Sequence, residues 1–365
     1  MKKRAAAADA SQQQPPTSAV ATAAPARLGF AVLVLGQAGL KSADLRRWQN
    51  APHLRVSLEY LRAIFDYLQR HAIRMYRMSS DVAPYITHPD LPQFHRQVEE
   101  CAQELADLGA VAREQGLRLS FHPSQYIILN SPNPEVNRKG ALDVDRQAAM
   151  LDAMDAGPDA VVVIHVGGRY DDPAAARDRW IHTYEHVLSE PARRRLVLEN
   201  DDVSFSAADV LYIHERCGVP LVFDHQHFCC LNPARLELVE TAVRFLRTWP
   251  AQRRPKLHFS SPRTQLREVQ RRNRQTKKLE TAFLPPVWTG HADYCDPFVF
   301  IQFMRQLSAA NARDFDAMLE AKAKDLALLR LRTDLTRYAP DVAARFGLTN
   351  HEAAAASEEP AEAVT

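Results

Sequence analysis

Histidine, glutamate or aspartate closes one short apolar run after another along this chain. In residues 117–126 (LRLSFHPSQY), the alternating Leu117, Leu119 and Phe121 suit a buried strand that stops at His122, where Pro123 turns the backbone outward. The same ending recurs with His88 in Thr87-His88-Pro89, His165 in IHVGG, Glu199 in LEND, Asp224 to His227 in DHQH, His258 in KLH and Glu320 in LEAK. Imidazole nitrogens and carboxylate oxygens are the ordinary ligands of divalent cations. A single strand-end histidine is more often a hydrogen-bonded structural residue. Seven in succession, brought to one rim, would cost several kcal/mol each unless a cation neutralised them. Metal binding is therefore the favoured chemistry, with more than one ion, because one ion cannot use so many ligands.

Neighbouring residues refine this set. His225 faces opposite to Asp224 along a strand, so His227 is the better ligand of the two. Lys256 and His258, two apart, share a face. A lysine beside metal ions would lose its proton and be modified, would point at a phosphate, or would be a structural rim residue. Gln125 and Tyr126 form the tip beyond His122, as a contacting surface or as ordinary exposed side chains. Residues 261–280 hold Arg263, Arg267, Arg271, Arg272, Arg274, Lys277 and Lys278 against Glu268 and Glu280, a net charge of +5 that reads as a phosphate-gripping rim loop or as a solvated basic helix. The remaining histidines, His53, His71, His95, His182, His186, His214 and His351, read as structural or solvated.

The elements that must position these residues alternate. Strands are expected at 28–35, 72–78, 117–121, 160–166, 196–199, 220–224, 256–260 and 315–320, separated by amphipathic stretches at 54–69, 91–114, 134–154, 173–188, 207–216, 236–248, 297–307 and 322–338. Eight strand–helix repeats within one domain at 27–340 argue for an α/β fold, a single (β/α)8 TIM barrel, whose C-terminal rim gathers the catalytic groups. Residues 1–26, rich in Ala, Gln, Ser and Pro, and most of the Ala/Glu-rich 341–365 read as disordered tails.

The chain has 365 residues and 46% hydrophobic content, ample for a core, and a formal charge of +2 that neither requires nor excludes nucleic acid. Five cysteines without a CxxC pair fit reduced thiols in the cytoplasm. The QQQPP run and Asp9 interrupt any secretory signal core, and no apolar run approaches the ~20 residues of a membrane span.

Taken together and in order, HPSQY at 122–126, IHVGG at 164–168, LEND at 198–201, Asp224 to His227, KLH at 256–258, GHADY at 290–294 and EAKAK at 320–324 resemble the UV damage endonucleases, metal-dependent TIM-barrel DNA repair enzymes related in fold to endonuclease IV. The resemblance runs from about Arg27 to Lys324. It implies hydrolysis of the DNA phosphodiester bond immediately 5′ of cyclobutane pyrimidine dimers and 6-4 photoproducts in double-stranded DNA, with no obligate protein partner. It also implies a cluster of three divalent ions, manganese favoured with zinc or cobalt as other candidates. The matching positions imply His88, His122, His165, Glu199, Asp224, His227, His258, His291 and Glu320 as ligands, Gln125 and Tyr126 as the lesion-probing pair, and Lys256 as a carboxylated lysine that acts with Glu199 and Glu320 in catalysis. A sugar isomerase or epimerase on the same barrel would be expected to have fewer metals, a closed pocket and no basic rim segment. A non-catalytic damaged-DNA-binding module would not need nine clustered ligands.

Overall fold

Short apolar strands cannot satisfy their own backbone, and a closed sheet leaves no edge among them. The computed structural model describes residues 24–348 and closes eight such runs into one parallel barrel. In chain order the strands are β1 (Leu28–Ala31), β2 (Met75–Arg77), β3 (Arg118–Phe121), β4 (Val161–His165), β5 (Leu196–Glu199), β6 (Leu221–Asp224) and β7 (Lys256–Phe259). Four lie outside the barrel: β8 (Pro262–Arg263), β9 (Arg267–Arg272), β10 (Leu279–Leu284) and β11 (Val287–His291). β12 (Asp316–Leu319) then completes the circuit between β7 and β1. The expected (β/α)8 barrel is what forms, each expected strand supplying a barrel strand.

Helices cover the outside. Prolines at the first turn and side-chain caps from Asn133, Asp172 and Asp296 start three of them, Pro134–Ala153, Pro173–His186 and Pro297–Ala309. The stretch 91–114 is not one helix. A 3-10 turn, Pro92–Phe94, and a short helix, Gln97–Glu100, precede Ala102–Glu114, because the buried Gln97 amide is committed to Leu54 N, Pro84 O and Phe94 O. The first strand ends at Ala31 rather than 35. Val32 turns the chain with φ 68° and gives its N–H to Arg77 O. Ala26 is tied to Arg345 by a backbone hydrogen bond, and the segment expected as a tail from 341 is helical over Pro340–Arg345 and ends on buried Phe346. His351 and the rest of both expected tails lie outside the described residues.

Alternation along each strand sorts the side chains into two populations. Leu119, Phe121, Val162, Ile164, Leu198, Phe223, Leu257 and Phe259 pack against the helices in one large core. Val161, Val163, Val197, Val222 and Trp249 form a separate small cluster. With the latter set, on the inward phase, come buried Arg118, Ser120, Lys256 and Asp316. The lumen is therefore partly polar, and its charges must meet one another. Arg118 Nη1 crosses from β3 to Asp316 Oδ2 on β12 at 2.9 Å, and Asp316 also accepts from Arg27 N at 2.8 Å and Arg27 Nη1 at 3.1 Å, with Arg254 Nε at 3.6 Å.

This closure has a measurable signature. Burial alone would raise the Asp316 carboxyl, but Arg118 and Arg27 outweigh it and hold it below its ordinary 3.8. Its stabilising contribution is then complete above about pH 4 and is lost as pH falls through the depressed folded value. Asp316→Asn should cost about 3–5 kcal/mol of unfolding free energy by leaving buried guanidiniums unmatched. Denaturant titrations from pH 6 to pH 2 should show the gap between variant and parent narrowing in acid; a constant gap would remove Asp316 from the closure.

Candidate metal centre

The phase that points Ser120 and Lys256 into the lumen sends the next inward residues, His122, His165, Glu199, Asp224 and His258, to the C-terminal mouth of the barrel, with Glu320 just past β12. Glu199 is 0% exposed and stands at their centre. Its Oε2 lies 2.9 Å from His122 Nε2 and 3.7 Å from His165 Nε2, and its Oε1 lies 2.7 Å from His258 Nδ1 and 3.7 Å from His227 Nδ1. Glu320 reaches His258 Nδ1 at 3.2 Å and His291 Nε2 at 3.9 Å, and is ion-paired to Arg77 at the end of β2. Two groups could each hold a cation, His122–Glu199–His258–Glu320 and His165–Glu199–His227, their ligand atoms within 4.8 Å of one another. Glu199 belongs to both.

Three carboxylates in so small a volume set the electrostatics. Burial would raise Glu199, yet His258, His165 and His122 outweigh it and hold the carboxyl well below the usual range. Glu320 is likewise held well below by Arg77 and His258 against its burial. Asp224 is pushed up to about 6, burial being the largest cause. Burial works against charge on His227, but Asp224, Glu199 and Glu320 outweigh it and raise it to about 10. Three buried atoms, His165 Nδ1, Asp224 Oδ2 and His258 Nε2, have no hydrogen-bond partner. Unmatched buried acceptors cost about 1–3 kcal/mol each, and in a nitrogen/carboxylate cluster with surplus negative charge they fit divalent cations.

Side chains without obvious chemistry orient the ligands. Asn200 brackets Asp224, accepting its N–H at 2.9 Å and donating to its carbonyl at 3.1 Å, while Asn200 O meets His227 Nδ1 at 3.0 Å. Ser260 Oγ meets His291 Nδ1 at 2.7 Å and Gln226 Oε1 at 2.6 Å. Gly167, at φ 113°, has no room for a side chain: a Cβ there would fall 2.5 Å from Asn130 Oδ1. These partners were missed from sequence because neutral amides and hydroxyls carry no metal-ligand signature. Arg77 was missed as well, although its place at the end of the second expected strand could have marked it.

The UV-endonuclease UvdE family model matches residues 49–345. The chain belongs to that family. It is 34% identical over 273 residues to a UV DNA damage endonuclease of Bacillus velezensis, spanning 74% of this chain and 77% of that one. A UV DNA damage endonuclease of Bacillus pumilus is 33% identical, over 73% and 76%. The crystal structure of SacUVDE superposes with a TM-score of 0.68 at 27% identity, covering 86% of this chain and 98% of the other. Family membership makes this chain a UV DNA damage endonuclease, a repair nuclease whose substrate is DNA.

In this UvdE-family barrel, the structure brings together His122, His165, Glu199, His227, His258 and Glu320, with Asp224 and His291 adjoining them. His88 is not brought in. It lies well beyond the end of β2 on an exposed turn, its Nδ1 accepting from Asp90 N at 3.3 Å and its carbonyl bonded to His95 Nε2 at 2.8 Å. Lys256 is completely buried below the cluster with Nζ 3.2 Å from Ser120 Oγ, which rules out a contact with surface phosphate. Burial, then Arg118 and Arg77, keep its ammonium well below the usual lysine range. Gln125 and Tyr126 stand on the lip of a cavity of about 870 Å³ that opens over the cluster, in a turn closed by Ile127 N to Ser124 O, with Tyr126 80% exposed. Arg263 is half-buried in β8 and pairs across to β11. Arg267, Arg271 and Arg272 lie on an exposed hairpin, β9–β10, where a loop or a basic helix was expected.

His225 and His227 give a direct test of the centre. His225 is packed between Phe259 and Phe303, ring centroids 4.9 and 4.8 Å away, and burial lowers it to about 4. His225→Leu should leave bound metal per chain unchanged and alter stability by less than about 1.5 kcal/mol. His227→Ala should lose metal. Elemental analysis of dialysed protein reads both, and metal loss from the His225 variant with none from the His227 variant would invert the assignment.

Proposed function

We propose that this chain cuts DNA immediately 5′ of UV photoproducts, cyclobutane pyrimidine dimers and 6-4 products, by metal-dependent hydrolysis. The observation that carries the reading is Glu199, shared between two ligand groups and buried beneath an open cavity that His122, His165, His227 and Glu320 line and whose lip presents Gln125 and Tyr126. His122, His165, Glu199, Asp224, His227, His258, His291 and Glu320 would hold the cations. We favour three, manganese ahead of zinc or cobalt. Bound divalent ions lower the pKa of a water and stabilise charge on a departing oxygen, as phosphodiester hydrolysis requires.

The chain's own residues supply the rest. Glu199 ties the two groups together, each of its oxygens facing one histidine of each group. Arg77 and His258 keep Glu320 ionised, so that it can act as a ligand or a proton acceptor at the edge of the cavity. Lys256, with its ammonium disfavoured, is suited to the carboxylation that the family resemblance implies, which would convert a buried cation into a further carboxylate. Tyr126 and Gln125 would fill the space left when a poorly stacked photodimer is extruded, so that selectivity comes from deformability rather than from base edges. Arg263, Arg267, Arg271 and Arg272 would meet phosphates. An open lip of this kind does not suit a sugar isomerase, which needs an enclosing pocket.

Incubation with Mn²⁺ and matched UV-irradiated and undamaged oligonucleotides should give one nick 5′ of the lesion in the irradiated strand alone; equal cutting of both would reject the proposal. Glu320→Gln should lower the nicking rate at least about a hundredfold with the circular dichroism spectrum unchanged. Retained nicking would remove Glu320 from the centre. Tyr126→Ala should cost about 1–3 kcal/mol of binding preference for damaged over undamaged duplex, with metal content unaltered. An undiminished preference would take Tyr126 out of lesion probing.

A further inference from the structure

Between β7 and the helix Pro297–Ala309 the chain leaves the barrel. β8 and β11 form a root, from which β9 and β10 rise as an antiparallel ribbon with Arg272 opposite Leu279 and Arg267 opposite Leu284. The root is fixed at the metal centre's edge. Gln226 Nε2 donates to Trp288 O and Gly290 O, both at 3.2 Å, and Gln226 in turn takes the Ser260 hydroxyl that meets His291. The ribbon itself is open on both faces: each of its residues is exposed or half-exposed, Leu279 by 70% and Phe283 by 61%. A lone two-stranded ribbon is marginal in water and gains by lying against a partner.

Charge identifies the partner. The outer end carries Arg271, Arg272, Arg274, Lys277 and Lys278, and its single carboxylate, Glu280, is taken by Asn273 Nδ2 at 2.9 and 2.8 Å. Asn273 also builds the turn, with Oδ1 accepting from Gln275 N and Thr276 N and its backbone paired to Lys277 and Lys278. Five cations on an ordered turn repel one another unless a polyanion lies against them. The apolar side chains beside them are too few for a protein interface core. We propose that β9–β10 is an arm that grips the DNA duplex away from the lesion, its tip on backbone phosphates about 20 Å, or about six base pairs, from its root beside the cutting site. This rests on the proposed function above and adds a second, lesion-independent contact to it.

The test compares photodimer-containing duplexes of about 8 and about 30 base pairs, the shorter ending before the arm, and an undamaged duplex of about 30. Binding to the full chain is measured by fluorescence anisotropy in EDTA. Replacing Arg274, Lys277 and Lys278 together by Ala should weaken binding to both long duplexes about tenfold or more. It should also lower the salt slope of log Kd by about 2–4, and leave the short duplex unaffected. Lysine at 274, with Lys277 and Lys278 retained, should restore most of the loss. Equal loss on short and long duplexes, or none on the long ones, would overturn the arm. So would a shift in assembly state by light scattering with DNA affinity unchanged, which would assign the ribbon to a second copy of the chain. Should the parent not prefer the photodimer, the proposed function fails, while charge-dependent loss on the undamaged long duplex still supports the arm.

Discussion

Glu199 holds a full negative charge out of contact with water, and the mouth of the barrel is arranged around that fact. A buried carboxylate is tolerated only when opposite charge and hydrogen bonds surround it. Here four imidazoles divide its two oxygens between them: His122 and His165 on one, His258 and His227 on the other. Those histidines come from or just beyond the ends of four different strands, His227 from the short helix His225–Cys230 that follows β6, so the site exists only if the sheet is closed and in register. A slip of one residue in any strand would turn its ligand out into the helical layer, because alternate residues face opposite sides.

That dependence explains how far the residues themselves disclosed the fold. Barrel strands have a strict inward and outward phase, and the inward phase changes character at its C-terminal end, from Val161 and Val163 to His165, or from Val197 to Glu199. A sharp switch from apolar to ligand in one phase is legible without coordinates. His88 was misleading because it shares the punctuation of the others, a histidine before proline, yet it follows a long excursion after β2, and phase is lost once a strand has ended. Arg77, the residue that does terminate β2, was passed over because a search for ligands favours one sign of charge.

The ribbon was illegible for the opposite reason. A half-buried strand announces itself by alternating apolar and polar residues, but REVQRR and LETAFL are exposed on both faces and have no core to face. Composition could report the charge of this segment and not its shape. Gln226 and Ser260, which fasten the root, are neutral residues whose role depends wholly on what stands opposite them.

The two ends of the lumen distinguish structure from chemistry. At the N-terminal end one carboxylate, Asp316, meets Arg27, Arg118 and Arg254, and both of its oxygens are engaged. There the carboxylate is fully matched by protein groups, with Arg118 Nη2 the buried atom left over, and its effect is to hold β1, β3, β7 and β12 in register. At the C-terminal end Glu199, Asp224 and Glu320 face one guanidinium, Arg77, together with imidazoles whose charge depends on their surroundings, and ligand atoms there remain without partners. The end with surplus carboxylates is also the open one, flanked by Tyr126 on one side and the root of the cationic ribbon on the other. The unmet demand for positive charge and the access for a polyanion therefore coincide at a single mouth.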